Sequence, residues 1–302
     1  MQRKFRKRSS VLAAFAIAAL ATAATIDAHW KDGLEQWRNQ RAKHLSAPDG
    51  WLTLVGLEWL QPGKNSFGSA ADNRIRLNAQ VADHLGVLEL KGNEVYLSSL
   101  AASLQLNGAP ARAARIETDD PNPTVMKAGT LTLLVIHRGD RYALRIKDSQ
   151  APTRVNFRGL HWYEPDPRYR IEAKWTPFTP PHDESIPTMI GTTLKLPVPG
   201  IAEFTLDGKA FRLEPVIEEP GDKQLFFILR DTTSKTTTYG AARFLYTDFP
   251  DNGLDKPGHL ILDFNRLQNP PCAYTPYATC PLPPPQNKLV VALPVGEQRY
   301  SH

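Results

Sequence analysis

Between His259 and Pro285 the chain reads HLILDFNRLQNPPCAYTPYATCPLPPP and crowds Asp263, Asn265, Arg266, Asn269, Cys272, Tyr274 and Cys280 into one short, proline-stiffened stretch. A guanidinium beside a carboxylate keeps the carboxylate ionised and leaves donors free for an anionic or carbonyl group. The preceding run, YGAARFLYTD, supplies the guanidinium if it pairs with HLILDFNR as a hairpin. With Thr247 opposite His259, the antiparallel count places Arg243 across from Asp263, and period-two alternation puts Asn265 on the same face. The predicted ligand-binding set is therefore Arg243, Asp263, Asn265, Arg266, Asn269 and Tyr274, suited to a small polar or anionic molecule. The competing reading is a cross-strand ion pair that only ties down a coil. A hydrolase-type enzyme using Asp263 with Tyr274 or a cysteine is the alternative function, and whether the chain catalyses anything is left open.

Cys272 and Cys280 are the two cysteines of the chain and stand in C-x7-C spacing. Zinc sites use tighter pairs and two further ligands, and a nucleophilic cysteine needs a histidine partner that no motif here supplies. In an exported protein the spacing predicts a Cys272–Cys280 disulfide, with free reactive thiols next. No metal and no cofactor is predicted. The sequence contains no G-x-S-x-G, H-E-x-x-H, P-loop or G-x-G-x-x-G. Glu58, Asp166 and Glu297 could pair for acid/base work, but spacing does not choose among them.

Residues 1–28 read as an export signal: Arg3, Lys4, Arg6, Lys7 and Arg8, then the apolar run from Val11 to Leu20, then Ala21-Thr22-Ala23 as a cleavage site, with a second possible cut after Ala28. That run is short for a membrane span of about 20 residues, so cleavage leaves no stable membrane insertion. A periplasmic or secreted location follows. Cleavage after Ala23 takes Lys plus Arg from 36 to 31, against 31 Asp plus Glu, and the formal charge from +5 to zero. Nucleic-acid binding thereby loses the basic patch it needs.

These residues are positioned by what reads as an all-β chain behind one helix. Trp30, Leu34, Trp37, Arg41 and Leu45 recur at helical spacing within residues 29–49. From 50 to 150, short runs such as LGVLEL, LTLLVIHRG and RYALRIKD separated by Gly, Asn and Asp predict a β-sandwich. A second antiparallel β unit, 151–302, carries the cysteine loop; within it, TPFTPPHDESIP (Thr176 to Pro187) reads as an exposed connection or lid.

Two resemblances follow from these residues. Asn65-Ser66-Phe67-Gly68-Ser69, Asn73-Arg74-Ile75-Arg76-Leu77, His84 and Leu106-Asn107-Gly108 resemble a forkhead-associated β-sandwich, a family that binds phosphothreonine. Ser69 and Val81 stand where that family carries its phosphate readers, so phosphopeptide recognition is not carried over. His84 reads as a structural loop histidine. GWLTLVGLEWLQPGKNSFGS, the FRGLHWY…DPRYR corner, TYGAARFLY and LDFNRLQNPPCAYTPYATCPLPPPQNKL together resemble the family called domain of unknown function 1684. That resemblance spans nearly all of the chain after the signal and implies a bacterial or archaeal protein without an assigned activity. Some members lack an export signal.

Overall fold

Alternation of apolar and polar residues marks out many of the strands that build this chain. The computed structural model describes residues 28–119 and 122–301. The expected export signal lies outside the described residues, apart from Ala28, which opens helix α1 (28–45). Among the described residues no helix is long and apolar enough to cross a membrane. The architecture is all-β behind this one long helix.

The N-terminal strands are β1 (Leu54–Trp59), β2 (Gly63–Gly68), β3 (Ile75–Arg76), β4 (Gly86–Lys91), β5 (Glu94–Ser98), β6 (Gln105–Leu106), β7 (Ala109–Pro110), β8 (Ala114–Ile116), β9 (Met126–Ala128), β10 (Leu131–Arg138) and β11 (Arg141–Asp148). They form two facing sheets, ordered β1-β11-β10-β9-β6-β7 and β3-β2-β4-β5-β8. Phe67, Leu88, Val95 and Leu97 from one sheet meet Leu133, Val135, Leu144 and Ile146 from the other. In β11 the residues between those core positions, Arg141, Ala143, Arg145 and Lys147, must point to the opposite face. On β10, Arg138 sits opposite Arg141. The outer face of this sheet is therefore a row of cations.

The following strands are β12 (Arg170–Pro187), β13 (Thr193–Leu206), β14 (Lys209–Leu213), β15 (Gln224–Leu229), β16 (Arg243–Asp248) and β17 (Gly258–Asp263). One sheet runs β14-β13-β12-β17, and β15 pairs with β16. Their core packs Trp175, Phe204, Phe227, Leu245, Leu262 and Phe264. A further cluster joins Leu54 of β1 to Ile186, Val198, Phe226 and Phe244, so the two β regions share apolar contact.

Two expectations are corrected. TPFTPPHDESIP is not a lid: it is most of β12, paired with β13 on both sides of an interruption between Pro177 and His182. Pro180 and Pro181 fall in that interruption, where no ladder partner needs their missing N–H. The β16–β17 hairpin is also not formed. β17 pairs instead with β12, Leu260 opposite Ala173 and Leu262 opposite Ile171, because this register turns Leu260 and Leu262 into the core with Trp175. Arg243 accordingly faces Leu229, and Asp263 faces Arg170.

Arg243 is instead a buried tie. Its Nη1 donates to Asp231 Oδ2 and to Leu293 O, both at 2.9 Å, and its Nη2 donates to Val295 O. Both side chains are fully buried. Asp231 Oδ1 in turn accepts from Thr233 N and from Leu293 N. At Gly296 (φ +77°), an added Cβ would lie 2.6 Å from Leu267 O and 3.0 Å from Arg243 Nη2, so only glycine fits beside the tie. Arg243→Met should cost roughly 3–5 kcal/mol in urea unfolding, because Asp231 is left buried and unpaired, and Asp231→Leu added to it should recover much of the loss. An Arg243→Met variant of unchanged stability would contradict this.

Candidate functional site

The predicted site residues separate into three places. Asp263 caps the turn after β17: Oδ1 accepts from Asn265 N at 3.2 Å and Asn265 Nδ2 at 3.0 Å, and Oδ2 accepts from Trp30 Nε1 at 2.8 Å. Arg266 stands 3.9 Å from the same carboxylate and over the Trp37 ring. Asn265 is fully buried and splices the Asp166 backbone, accepting from its N–H and donating to its carbonyl. These groups dock α1 and spend their hydrogen bonds on the protein. Arg243 belongs to the Asp231 tie. Asn269 and Tyr274 belong to a third group around Glu297.

Glu297 is 1% exposed and surrounded by donors. Arg41 Nε donates to Oε2 at 2.7 Å, Asn269 N to Oε2 at 3.1 Å, Asn269 Nδ2 to Oε1 at 2.9 Å, and Tyr274 OH to Oε1. Arg41 Nη2 reaches Asn269 O at 2.8 Å and the Tyr274 hydroxyl at 3.0 Å. Burial pushes the Tyr274 hydroxyl well above its ordinary pKa, with Glu297 adding to the shift, so it stays a donor. Burial works against the Arg41 cation, but Glu297 and Tyr274 outweigh it and raise its pKa. Asp263 and Tyr274 thus have separate partners, and no Asp263–Tyr274 catalytic pair forms.

Above this group a cleft of about 810 Å³ opens between the cationic sheet face and the second β region. Trp51, His137, Arg138 and Arg145 line one side; Leu196, Phe244, Tyr246 and Glu218 line the other; Gln268, Asn269, Thr279 and Cys280 of the cysteine loop close it. That volume lies within the roughly 300–1,000 Å³ of small-molecule sites. Arg138 is bound to Asp119 at 2.6 Å. Arg145 is different. It is 7% exposed, its Nε has no hydrogen-bond partner, its guanidinium lies 5.5 Å from the Trp51 ring, and the nearby Asp119 carboxylate offsets its charge only in part. Burial, with Arg138 adding, pushes its pKa down to about 10. Asn269 Oδ1, on the cleft wall, also lacks a partner. A concavity of about 670 Å³ beside α1 offers less, since Arg38 there is bound to Tyr163 O and stacked on Trp162.

Residues 155–298 match the family described as "Protein of unknown function (DUF1684)". The match spans 144 of the 302 residues, a little under half of the chain, and over that segment the chain is similar to the family. The matched segment includes Glu297, Asn269, Tyr274 and the cysteine loop, and it excludes Arg41, the N-terminal stretch 50–69 and Arg145. The solution NMR structure of an uncharacterized protein from gene locus rrnAC0354 of Haloarcula marismortui is 32% identical, covering 48% of this chain and 79% of that one, at a TM-score of 0.41. A search of curated proteins finds no match. The forkhead-associated resemblance gains no support from these comparisons.

The expected disulfide is absent: Cys272 and Cys280 are free thiols, with Cys272 N–H donating to Cys280 Sγ at 3.2 Å. Among the described residues no three His, Cys, Asp or Glu side chains gather as metal ligands. Arg145 was missed by sequence reasoning, although RYALRIKD carried the signal. Its alternation identifies a strand, and the same alternation sets three cations on one face.

Glu218, across the cleft, accepts from Tyr246 OH at 3.4 Å. Glu218 is solvent-exposed at the rim of the cleft; partial desolvation there raises its pKa, and Asp222 adds to the shift, while solvent screening keeps the effect on stability small. The folded state therefore holds this proton to higher pH than the unfolded chain does, and the stability it contributes at acid pH is lost as pH rises through the folded value. Glu218→Gln mimics the protonated form. It should leave the melting temperature near that of wild type at about pH 4 and raise it slightly at about pH 8. Equal offsets at both pH values would contradict the desolvation argument.

Proposed function

We propose that this protein binds a small anionic ligand in the cleft between the cationic sheet face and the cysteine loop. One observation carries the reading: Arg145 is a buried guanidinium without a hydrogen-bonding partner among the described residues, and it faces an 810 Å³ cleft. A buried cation costs stability unless paired, and a carboxylate or phosphate entering the cleft would supply the pair. The unpartnered Asn269 Oδ1 favours a ligand that also carries an O–H or N–H donor. The reading keeps the ligand class expected from the sequence and moves its cation from Arg243 to Arg145. Export by the N-terminal signal belongs to the same proposal and rests on the sequence of residues 1–28.

The proposal predicts opposite effects on stability and binding. Arg145→Met keeps the apolar stem and removes the uncompensated charge, so the ligand-free variant should melt higher than wild type. Against a panel of succinate, citrate and inorganic phosphate, any probe that wild type binds should weaken by roughly tenfold to a hundredfold, the worth of a charge-assisted hydrogen bond. Calorimetric titration and thermal melts measure both. Loss of stability together with unchanged affinity would assign Arg145 to the framework and overturn the proposal.

A further inference from the structure

Cys272 and Cys280 differ in every respect that matters for thiol chemistry. Cys272 is half-buried and opens on a separate cavity of about 490 Å³, lined by Tyr239, Thr275, Pro276, Arg299 and Tyr300. Cys280 is 5% exposed and faces away from that cavity, into the main cleft. The loop holds the two sulfurs together. Tyr239 OH donates to Cys272 O at 2.9 Å, Met189 N donates to Cys280 O at 2.9 Å, and Cys272 N donates to Cys280 Sγ at 3.2 Å. Pro270, Pro271 and Pro281 stiffen the chain on either side of the two cysteines, and Pro276 stiffens it between them.

The geometry points to a dithiol centre for exchange with small disulfides, Cys272 attacking from the cavity and Cys280 resolving from behind it. In the first step the Cys272 thiolate attacks one sulfur of a small disulfide RSSR; a Cys272–S–S–R bond forms, the S–S bond of RSSR breaks, and RS⁻ leaves. In the second, Cys280 gives up its proton and attacks the Cys272 sulfur, closing the Cys272–Cys280 bridge and releasing the second RS⁻. Two protein thiols are oxidised by two electrons, one RSSR is reduced to two thiols, and the two cysteine protons end on the two RS groups. Arg299 lines the cavity with Nε and Nη2 held by Thr238 O and Ser234 O, and its fixed positive charge favours an RSSR that carries carboxylates.

The electrostatics match this division of labour. A hydrogen bond from the Cys280 thiol lowers the Cys272 pKa, against the cost of burial and with help from Tyr239. The same contact is the leading reason that the Cys280 pKa is raised, with burial second. Once Cys272 is tied up as a mixed disulfide, its thiolate is gone, and with it the main obstacle to deprotonating Cys280.

The test uses the reduced full chain, glutathione disulfide as the probe, and intact mass. Wild type should lose the mass of two hydrogen atoms and retain no glutathione. Cys280→Ser should accumulate one glutathione on Cys272, whereas Cys272→Ser should react at least roughly tenfold more slowly, as a shielded thiol does. Wild-type thiols that stay free, or a Cys272→Ser variant that reacts as fast as Cys280→Ser, would overturn the proposal. Should a variant fail to fold by circular dichroism, iodoacetamide labelling of wild type with peptide mapping decides. Cys272 labelled first supports the assignment, and Cys280 labelled first or both labelled equally defeats it.

Discussion

A single buried carboxylate, Glu297, sets the shape of the region around the cleft. A carboxylate in such a place is tolerated only when donors surround it, and its donors come from two parts of the chain distant from each other. Arg41 arrives on α1, Asn269 and Tyr274 arrive on the cysteine loop, and Glu297 itself sits on the C-terminal segment. The loop and helix are therefore held to one another through a group that neither can satisfy alone. Gln268 and Asn269, fixed by this arrangement, form the closed end of the main cleft.

Two buried arginines within this framework mark the difference between structure and function. Arg243 has a carboxylate and two carbonyls around its terminal nitrogens, and its removal would strand Asp231. Arg145 has an aromatic ring and open space. Both burials are costly in principle; the first is offset by hydrogen bonds inside the protein, the second only in part, by the Asp119 charge. A cost left standing at the wall of a cavity is the feature on which the proposed anion binding rests.

Much of the fold was legible because it follows from alternation. The helix, the sandwich strands and the strand at HLILDF all show in their apolar periods, and the polar richness of the cysteine loop is plain in the sequence. Pairing between strands was not legible. The choice of β12 rather than β16 as the neighbour of β17 depends on how Leu260 and Leu262 pack with Trp175, a contact between residues far apart in sequence. That one difference separates Arg243 from Asp263. The Glu297 group was half visible: Arg41 stood on an otherwise apolar helical stripe, and a cation in such a stripe calls for a buried partner, but the sequence did not say which carboxylate would come. TPFTPPHDESIP was misread because its prolines suggested a loop, while the strand accommodates them at an interruption.

The claim that Glu297 unites helix, loop and C-terminal segment is most directly tested by amide hydrogen exchange in Glu297→Gln. The substitution weakens every bond to the carboxylate while conserving its size. Segments 28–45 and 268–275 should lose protection together, while 86–98 in the N-terminal sandwich keeps its protection. Faster exchange in the helix alone, or no change in either segment, would contradict the account.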